Sequence, residues 1–326
     1  MSNEPSYLES LLDDALGDLS RLLDEANVRE VMVNAPDDVW VERAGQLEPA
    51  HLRFSAAATR TVIQVLAALS ARTAGFEQTR PLLDMGFRDW RISAVLPPVA
   101  VQGPALCLRK HGGRIFPLRQ FTEGSPTGST TTSPAPEISR RLDVQDQLLH
   151  WVQERKNLLV SGGTGTGKTA LLNALIARIP ETQRLVVIED TRELRVEHPN
   201  RVVFEAHPAA GVTLRDLVRQ ALRFRPDRII IGEVRGAEAF DLLQAMNTGH
   251  EGCLGTLHAN SAEEALHRLV QLVLQAGMGW TEEAIARQVG RTIGGIIQLG
   301  RVEGRRQIDH IQRVEGYEHG RYQCYP

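Results

Sequence analysis

Between two apolar stretches the chain reads "SGGTGTGKTA", Ser161 to Ala170. From Gly162 to Thr169 the order is glycine, four residues, glycine, lysine and threonine. The preceding "NLLVSG" reads as a strand, and a helix is expected from Lys168 to Ile179. This spacing has a physical purpose. Glycines let consecutive backbone N–H groups turn inward on a phosphate chain, lysine reaches the outer phosphates, and the threonine hydroxyl serves a magnesium ion. A helix beginning at once adds its positive end. The expected nucleotide-binding residues are therefore Gly162, Gly163, Thr164, Gly165, Thr166, Gly167, Lys168, Thr169 and Ala170. A chain carrying this motif must bring a strand, a tight turn and a helix together at a sheet edge.

The text beyond the loop supplies that sheet. "RLVVIED", "RVVFEA", "RIIIGE" and "GCLGTLH" read as strands, separated by helices such as "LRDLVRQALRF" and "AEAFDLLQAMN". Strands alternating with helices point to a largely parallel sheet covered on both faces. The tail, "TIGGIIQLG" followed by "RRQIDHIQRVEGY", reads as an antiparallel hairpin closing one edge.

Ahead of the loop the pattern differs. A leucine stripe over residues 8–23 is helical, "VREVMVNAPDDVWVERAGQLEP" gives three short strands, and Ser55 to about Arg72 is helical again. "RDWRISAVLPP" and "ALCLRK" return to strand. The expected organisation is an α+β domain over 1–120, a linker over 121–140 and an α/β nucleotide-binding domain over 141–326. The linker rests on "FTEGSPTGSTTTSPAPEI", rich in Ser, Thr, Gly and Pro, with an ordered surface loop as the alternative.

At 326 residues two domains are the natural expectation. With 42% hydrophobic and 24% charged residues the composition is that of a soluble globular protein. A formal net charge of -3 argues against a protein that lives on nucleic acid, so no sequence-specific nucleic-acid binding is expected. Three scattered cysteines without a CxxC pair suit a reducing cytosol rather than a disulfide framework. No apolar run is long enough to cross a bilayer and no signal peptide opens the chain, so any membrane contact is expected to be peripheral.

Chemistry is expected where strands end, because open parallel sheets bind ligands at their carboxyl edges. "VVIEDTRE" places Glu189 and Asp190 there, "IIIGEVRG" places Glu233, and "GCLGTLHAN" places His258. The strand of "IIIGEVRG" lacks the aspartate that P-loop ATPases usually offer to magnesium, having Gly232 instead. If Glu189 and Asp190 support the metal from a neighbouring strand, Glu233 is free to position and deprotonate the attacking water. The alternative is that Glu233 caps the helix that follows. His258 on spacing alone is either a site residue or a satisfied polar side chain, and His250 reads as structural.

"GGTGTGKT", "IEDTREL" and "RPDRIIIGEVRGAEAFDLLQAMNTGHEGCLGTLHANS" together resemble the secretion traffic ATPases: VirB-type ATPases of type IV secretion, conjugal-transfer TrbB proteins and CpaF pilus ATPases. The resemblance spans about Gln145 to Arg268, with four motifs in family order. It implies a RecA-like P-loop ATPase domain behind a smaller α+β domain, with ATP and Mg2+ as ligands. It implies a cytoplasmic homo-hexamer, peripherally bound at the inner membrane beside other components of a secretion or pilus machine. Lys168, Glu233, Glu189 and His258 become the expected catalytic set, with His258 sensing the γ-phosphate. Thr169, Glu189, Asp190 and Glu233 hold magnesium, partly through water. More weakly, "RISAVLPP" and "CLRK" resemble segments that lend arginines to the nucleotide, here Arg91 and Arg109; "RDWR" replaces the family's Asp-Gly-Ser-Arg, which makes Arg109 the firmer of the two. The basic neighbours Lys110, His111, Arg114 and Arg119 are phosphate-facing, lipid-facing or merely solvated. The resemblance leans to the conjugal kind. Two rival readings are a nucleic-acid-translocating ring ATPase and a switch that binds nucleotide without hydrolysing it.

Overall fold

A computed structural model describes residues 7–43, 46–70, 81–110, 115–122, 143–302 and 305–325. Two compact units result: Met1–Gly113 with Thr191–Glu193, and Arg114–Asp190 with Leu194–Pro326.

The first unit runs α1 (Tyr7–Leu16), α2 (Leu19–Asp24), β1 (Val28–Ala35), β2 (Asp38–Arg43), β3 (Gln46–Pro49), α3 (Ala56–Leu69), β4 (Leu82–Phe87), β5 (Trp90–Val95) and β6 (Ala105–Lys110). Its sheet has the order β3-β2-β1-β6-β5-β4, every neighbouring pair antiparallel. Alternation along each strand builds the core. Val31 lies opposite Leu108 and Val33 opposite Leu106, and this face is buried with Leu12 and Leu16 of α1 and Val62, Ile63 and Leu66 of α3. Ser55 starts α3 by accepting a hydrogen bond from the Ala58 N–H at 3.2 Å.

The second unit continues with α4 (Arg119–Thr122), α5 (Val144–Gln153), β7 (Leu158–Gly162), α6 (Lys168–Ile176), β8 (Leu185–Glu189), β9 (Arg201–Glu205), α7 (Leu214–Ala221), β10 (Arg228–Ile231), α8 (Glu238–Asn247) and β11 (Leu254–Leu257). It closes with α9 (Ala262–Leu274), α10 (Glu282–Thr292), β12 (Gly295–Val302), β13 (Arg305–Glu318) and β14 (Arg321–Tyr325). The sheet order is β14-β13-β12-β7-β11-β10-β8-β9. From β12 through β9 all pairs are parallel, while β13 and β14 run antiparallel at the edge. The tail hairpin thus sits where the sequence places it, with β14 added.

Strands β7, β8, β10 and β11 are buried along their whole length, so their faces separate by parity. Leu159, Val186, Ile229 and Ile231 pack with helices α7 to α10, whereas Leu158, Val160, Val187 and Ile230 pack with α5 and α6. Each buried isoleucine of β10 contributes about 1.5–3 kcal/mol. That rigid centre fixes the strand ends on which the candidate site is built.

Leu118 and Phe121 are buried in the same cluster as β7 and α6, so the short segment around α4 groups with the second unit. The first unit accordingly ends at Gly113, ahead of the expected 120. Of the expected linker over 121–140, residues 123–140 lie outside the described residues.

Candidate nucleotide site

The glycine loop lies between the end of β7 at Gly162 and the start of α6 at Lys168. Gly165 and Gly167 adopt left-handed backbone, with φ of 72° and 101°, which only glycine takes at little cost. Gly167 is also the N-cap of α6, and no side chain caps that end. By contrast, Thr213, Ser261 and Thr281 accept hydrogen bonds from the first turns of α7, α9 and α10. A helix that opens on a glycine leaves space for an anion at its N-terminus. The loop fits a triphosphate.

Lys168 starts α6 and is 8% exposed. Its Nζ donates to the carbonyl oxygens of Gly162 and Gly163, both at 2.9 Å, and lies 3.2 Å from Nδ1 of His258. His258 follows β11 directly, and its Nε2 stands 3.1 Å from Oε1 of Glu233, two residues beyond β10. A continuous chain results, Lys168–His258–Glu233, across three adjacent strand ends. Burial, then the neighbouring Lys168, hold the His258 pKa below its usual 6.5, against the opposing pull of Glu233. With the ring neutral, Nδ1 accepts from Lys168 and Nε2 donates to Glu233.

Glu189 ends β8, is 2% exposed, and accepts the Leu194 N–H at 2.8 Å through Oε1. Its side chain fills the space where Gly232 would carry one: a Cβ on Gly232 would lie 3.2 Å from Glu189 Cγ. Asp190 accepts from Arg235 Nη2 at 2.8 Å, and the same nitrogen is 3.8 Å from Glu233. Glu238 opens α8, and its Oε1 accepts the N–H groups of Arg235 and Gly236 at 2.7 and 2.8 Å. These bonds tie the turn ahead of the helix; the N-cap of α8 is Ala237, with no side-chain cap hydrogen bond, so Glu233 does not cap it.

Thr169, Glu189, Asp190 and Glu233 offer hard oxygen atoms, the chemistry magnesium prefers. Among the described residues no group of three or more His, Cys, Asp or Glu converges as a metal cage. Magnesium commonly takes only one or two protein carboxylates and keeps several waters, so it does not require such a cage.

Sequence reasoning missed two neighbours of the loop. Arg301, on β12, donates from Nη2 to the Gly165 carbonyl at 2.9 Å. Arg306, on β13, covers Gly167 so closely that a Cβ there would meet its Cδ at 3.1 Å. The only signal was their place at the tip of a hairpin expected to close the sheet. In the first unit, Arg91 and Arg109 are cross-strand partners on β5 and β6. Arg91 is held by Asp84 at 3.3 Å and Glu193 at 2.9 Å, while Arg109 is exposed. Lys110 donates to the carbonyls of Leu23 and Glu25, and His111 and Arg114 lie outside the described residues.

The profile of the family described as "Type II/IV secretion system protein" matches residues 13–313. Conjugal transfer protein TrbB of Rhizobium radiobacter is 35% identical over 318 residues, which cover 96% of this chain and 92% of that protein. The crystal structure of the VirB11 ATPase from the Brucella suis type IV secretion system, in complex with sulphate, is 28% identical with a TM-score of 0.50, covering 94% of this chain and 95% of that one. The Legionella pneumophila ATPase DotB is 22% identical with a TM-score of 0.64, covering 96% of this chain and 83% of its own; it speaks for the fold.

Proposed function

From a chain that belongs to the type II/IV secretion system protein family, we propose an ATP hydrolase that drives type IV secretion, of the conjugal-transfer kind. The observation that carries this reading is the Lys168–His258–Glu233 chain beside the glycine-opened start of α6. Gly162 to Ala170 hold the triphosphate, and Lys168 neutralises charge on its outer phosphates. Glu233 orients a water whose oxygen attacks the γ-phosphorus; the bond to the β–γ bridging oxygen breaks, ADP leaves, and the water proton passes to Glu233. His258 stands between the two and reads the γ-phosphoryl group. Thr169, Glu189, Asp190 and Glu233 would hold magnesium, partly through water, and the bound ion would supply positive charge to offset that of the phosphates.

Arg109, with Arg91 second, is the candidate to supply an arginine to the developing charge; support comes from motif resemblance. The same resemblance supports a cytoplasmic homo-hexamer bound peripherally at the inner membrane and coupled to other components of a transfer or pilus apparatus. Among the described residues no helix is long and apolar enough to cross a membrane.

Two measurements test the reading. Purified full-length protein should release phosphate from ATP in a magnesium-dependent manner. A strain lacking the gene should lose plasmid transfer, scored separately from surface pili. Hydrolysis without any transfer or pilus defect would reject the transport role. Turnover steeply stimulated by single-stranded DNA would favour a nucleic-acid motor.

A further inference from the structure

The hairpin β12–β13 does more than close the sheet. Strand β12 pairs in parallel with β7, Leu299 opposite Gly162, on the side away from β11. Arg301 and Arg306 of the hairpin therefore lie along one flank of the glycine loop, while His258 and Glu233 follow strands on the other flank. On the hairpin flank Arg301 donates to the Gly165 carbonyl at 2.9 Å, and the stem of Arg306 lies over Gly167. Arg301 is exposed and has no carboxylate partner among the described residues. One N–H on a carbonyl leaves most of the guanidinium fork, five donors in a plane, still to be used.

Resting on the nucleotide-site reading above, we propose that Arg301 and Arg306 form the nucleoside-side wall of that site, gripping the ribose–α-phosphate end and the base. A triphosphate in the loop has two ends. The reactive γ end belongs beside Lys168, His258 and Glu233, so the nucleoside leaves by the opposite flank, where the hairpin stands. Guanidinium chemistry matches that end: its N–H groups bond phosphate and ribose oxygens, and its flat face stacks on a purine. Both arginines also meet the loop at glycines, Gly165 and Gly167, at which an added Cβ would stand 3.1 Å from the arginine side chain.

The test compares two ligands on full-length protein, each with magnesium: ATP, and inorganic tripolyphosphate, which has the phosphate chain and no nucleoside. Isothermal titration of wild type, Arg301→Ala, Arg306→Ala and the double variant gives the affinities. Each single substitution should weaken ATP about tenfold, the size of one charge-assisted hydrogen bond, and weaken tripolyphosphate clearly less, because that ligand keeps the phosphate contact and lacks the nucleoside. Equal losses for both ligands would overturn the proposal, because the arginines would then act only by bracing the loop. Unchanged ATP affinity in the double variant would overturn it as well. Wild-type protein that binds neither ligand would reject the nucleotide site itself, a result distinct from any behaviour of the variants.

Discussion

Gly232 and Glu189 share one volume: the space that a Cβ on Gly232 would enter lies 3.2 Å from Cγ and 3.4 Å from Oε1 of Glu189. The aspartate missing from the end of β10 is thereby explained. A carboxylate already reaches that point from β8, and a side chain at 232 would have to push it back by a few tenths of an ångström. Gly232→Ala should cost about 1–3 kcal/mol through overpacking. Gly232→Asp should cost more, because it sets a second carboxylate against one that is 2% exposed. Thermal unfolding of both variants checks this; an unshifted midpoint for Gly232→Asp would mean the two side chains coexist.

Lys168→Ala removes the charge that the loop aims at the outer phosphates. Phosphate release should fall by at least about 10²-fold, as when a preorganised donor is lost from a charge-stabilising site. It should also cut the contact that holds His258 at 3.2 Å. Wild-type turnover in this variant would move the site elsewhere.

His258 gives the site a pH dependence with a definite sign. Burial and Lys168 depress its folded pKa below 6.5, so the unfolded chain binds more protons than the folded one just below that value. The stabilising contribution is complete above about 6.5 and is lost as the pH falls through the depressed folded pKa. Turnover should decline over the same acid window, because a protonated ring opposes Lys168. The side chain is 46% exposed, so salt screens the effect. His258→Gln should remove the acid decline; a variant that keeps the wild-type acid limb would assign that limb to another group.

Local features were legible in the sequence, and contacts between strand ends were not. The glycine spacing located a strand, turn and helix, and the alternation of apolar runs located the parallel sheet. Strand β4, "LLDMGF", escaped because an aspartate and a glycine break its apolar run. Helix α5 lies directly after the polar stretch, with three acids and glutamines among its first residues, "VQDQ". Sheet order decides the rest. That Glu189 fills the place of Gly232, that Arg235 takes Asp190, and that Arg301 reaches Gly165 depend on which strands are neighbours, and no local pattern carries that. The helix-cap reading of Glu233 fails because α8 begins after Ala237, four residues beyond it, with no side-chain cap hydrogen bond.

The last prediction separates the two glutamates. Glu233 is 26% exposed at the side chain and receives the Nε2–H of a neutral histidine, so it can take a proton from water. Glu189 is buried, fixed by the Leu194 N–H and packed beneath Gly232, a placement that suits holding rather than proton transfer. Glu233→Gln should therefore bind ATP as wild type does, since the amide keeps the shape and still meets His258. Its turnover should drop by about 10²–10⁴-fold, the usual worth of a positioned general base. Glu189→Gln should instead lower thermal stability and weaken the magnesium dependence of hydrolysis, because one charged oxygen near the metal is exchanged for an amide. Pre-steady-state phosphate release, titrated with magnesium, distinguishes the two patterns. Abolished turnover in Glu189→Gln, with retained turnover in Glu233→Gln, would exchange the roles assigned to these strand ends.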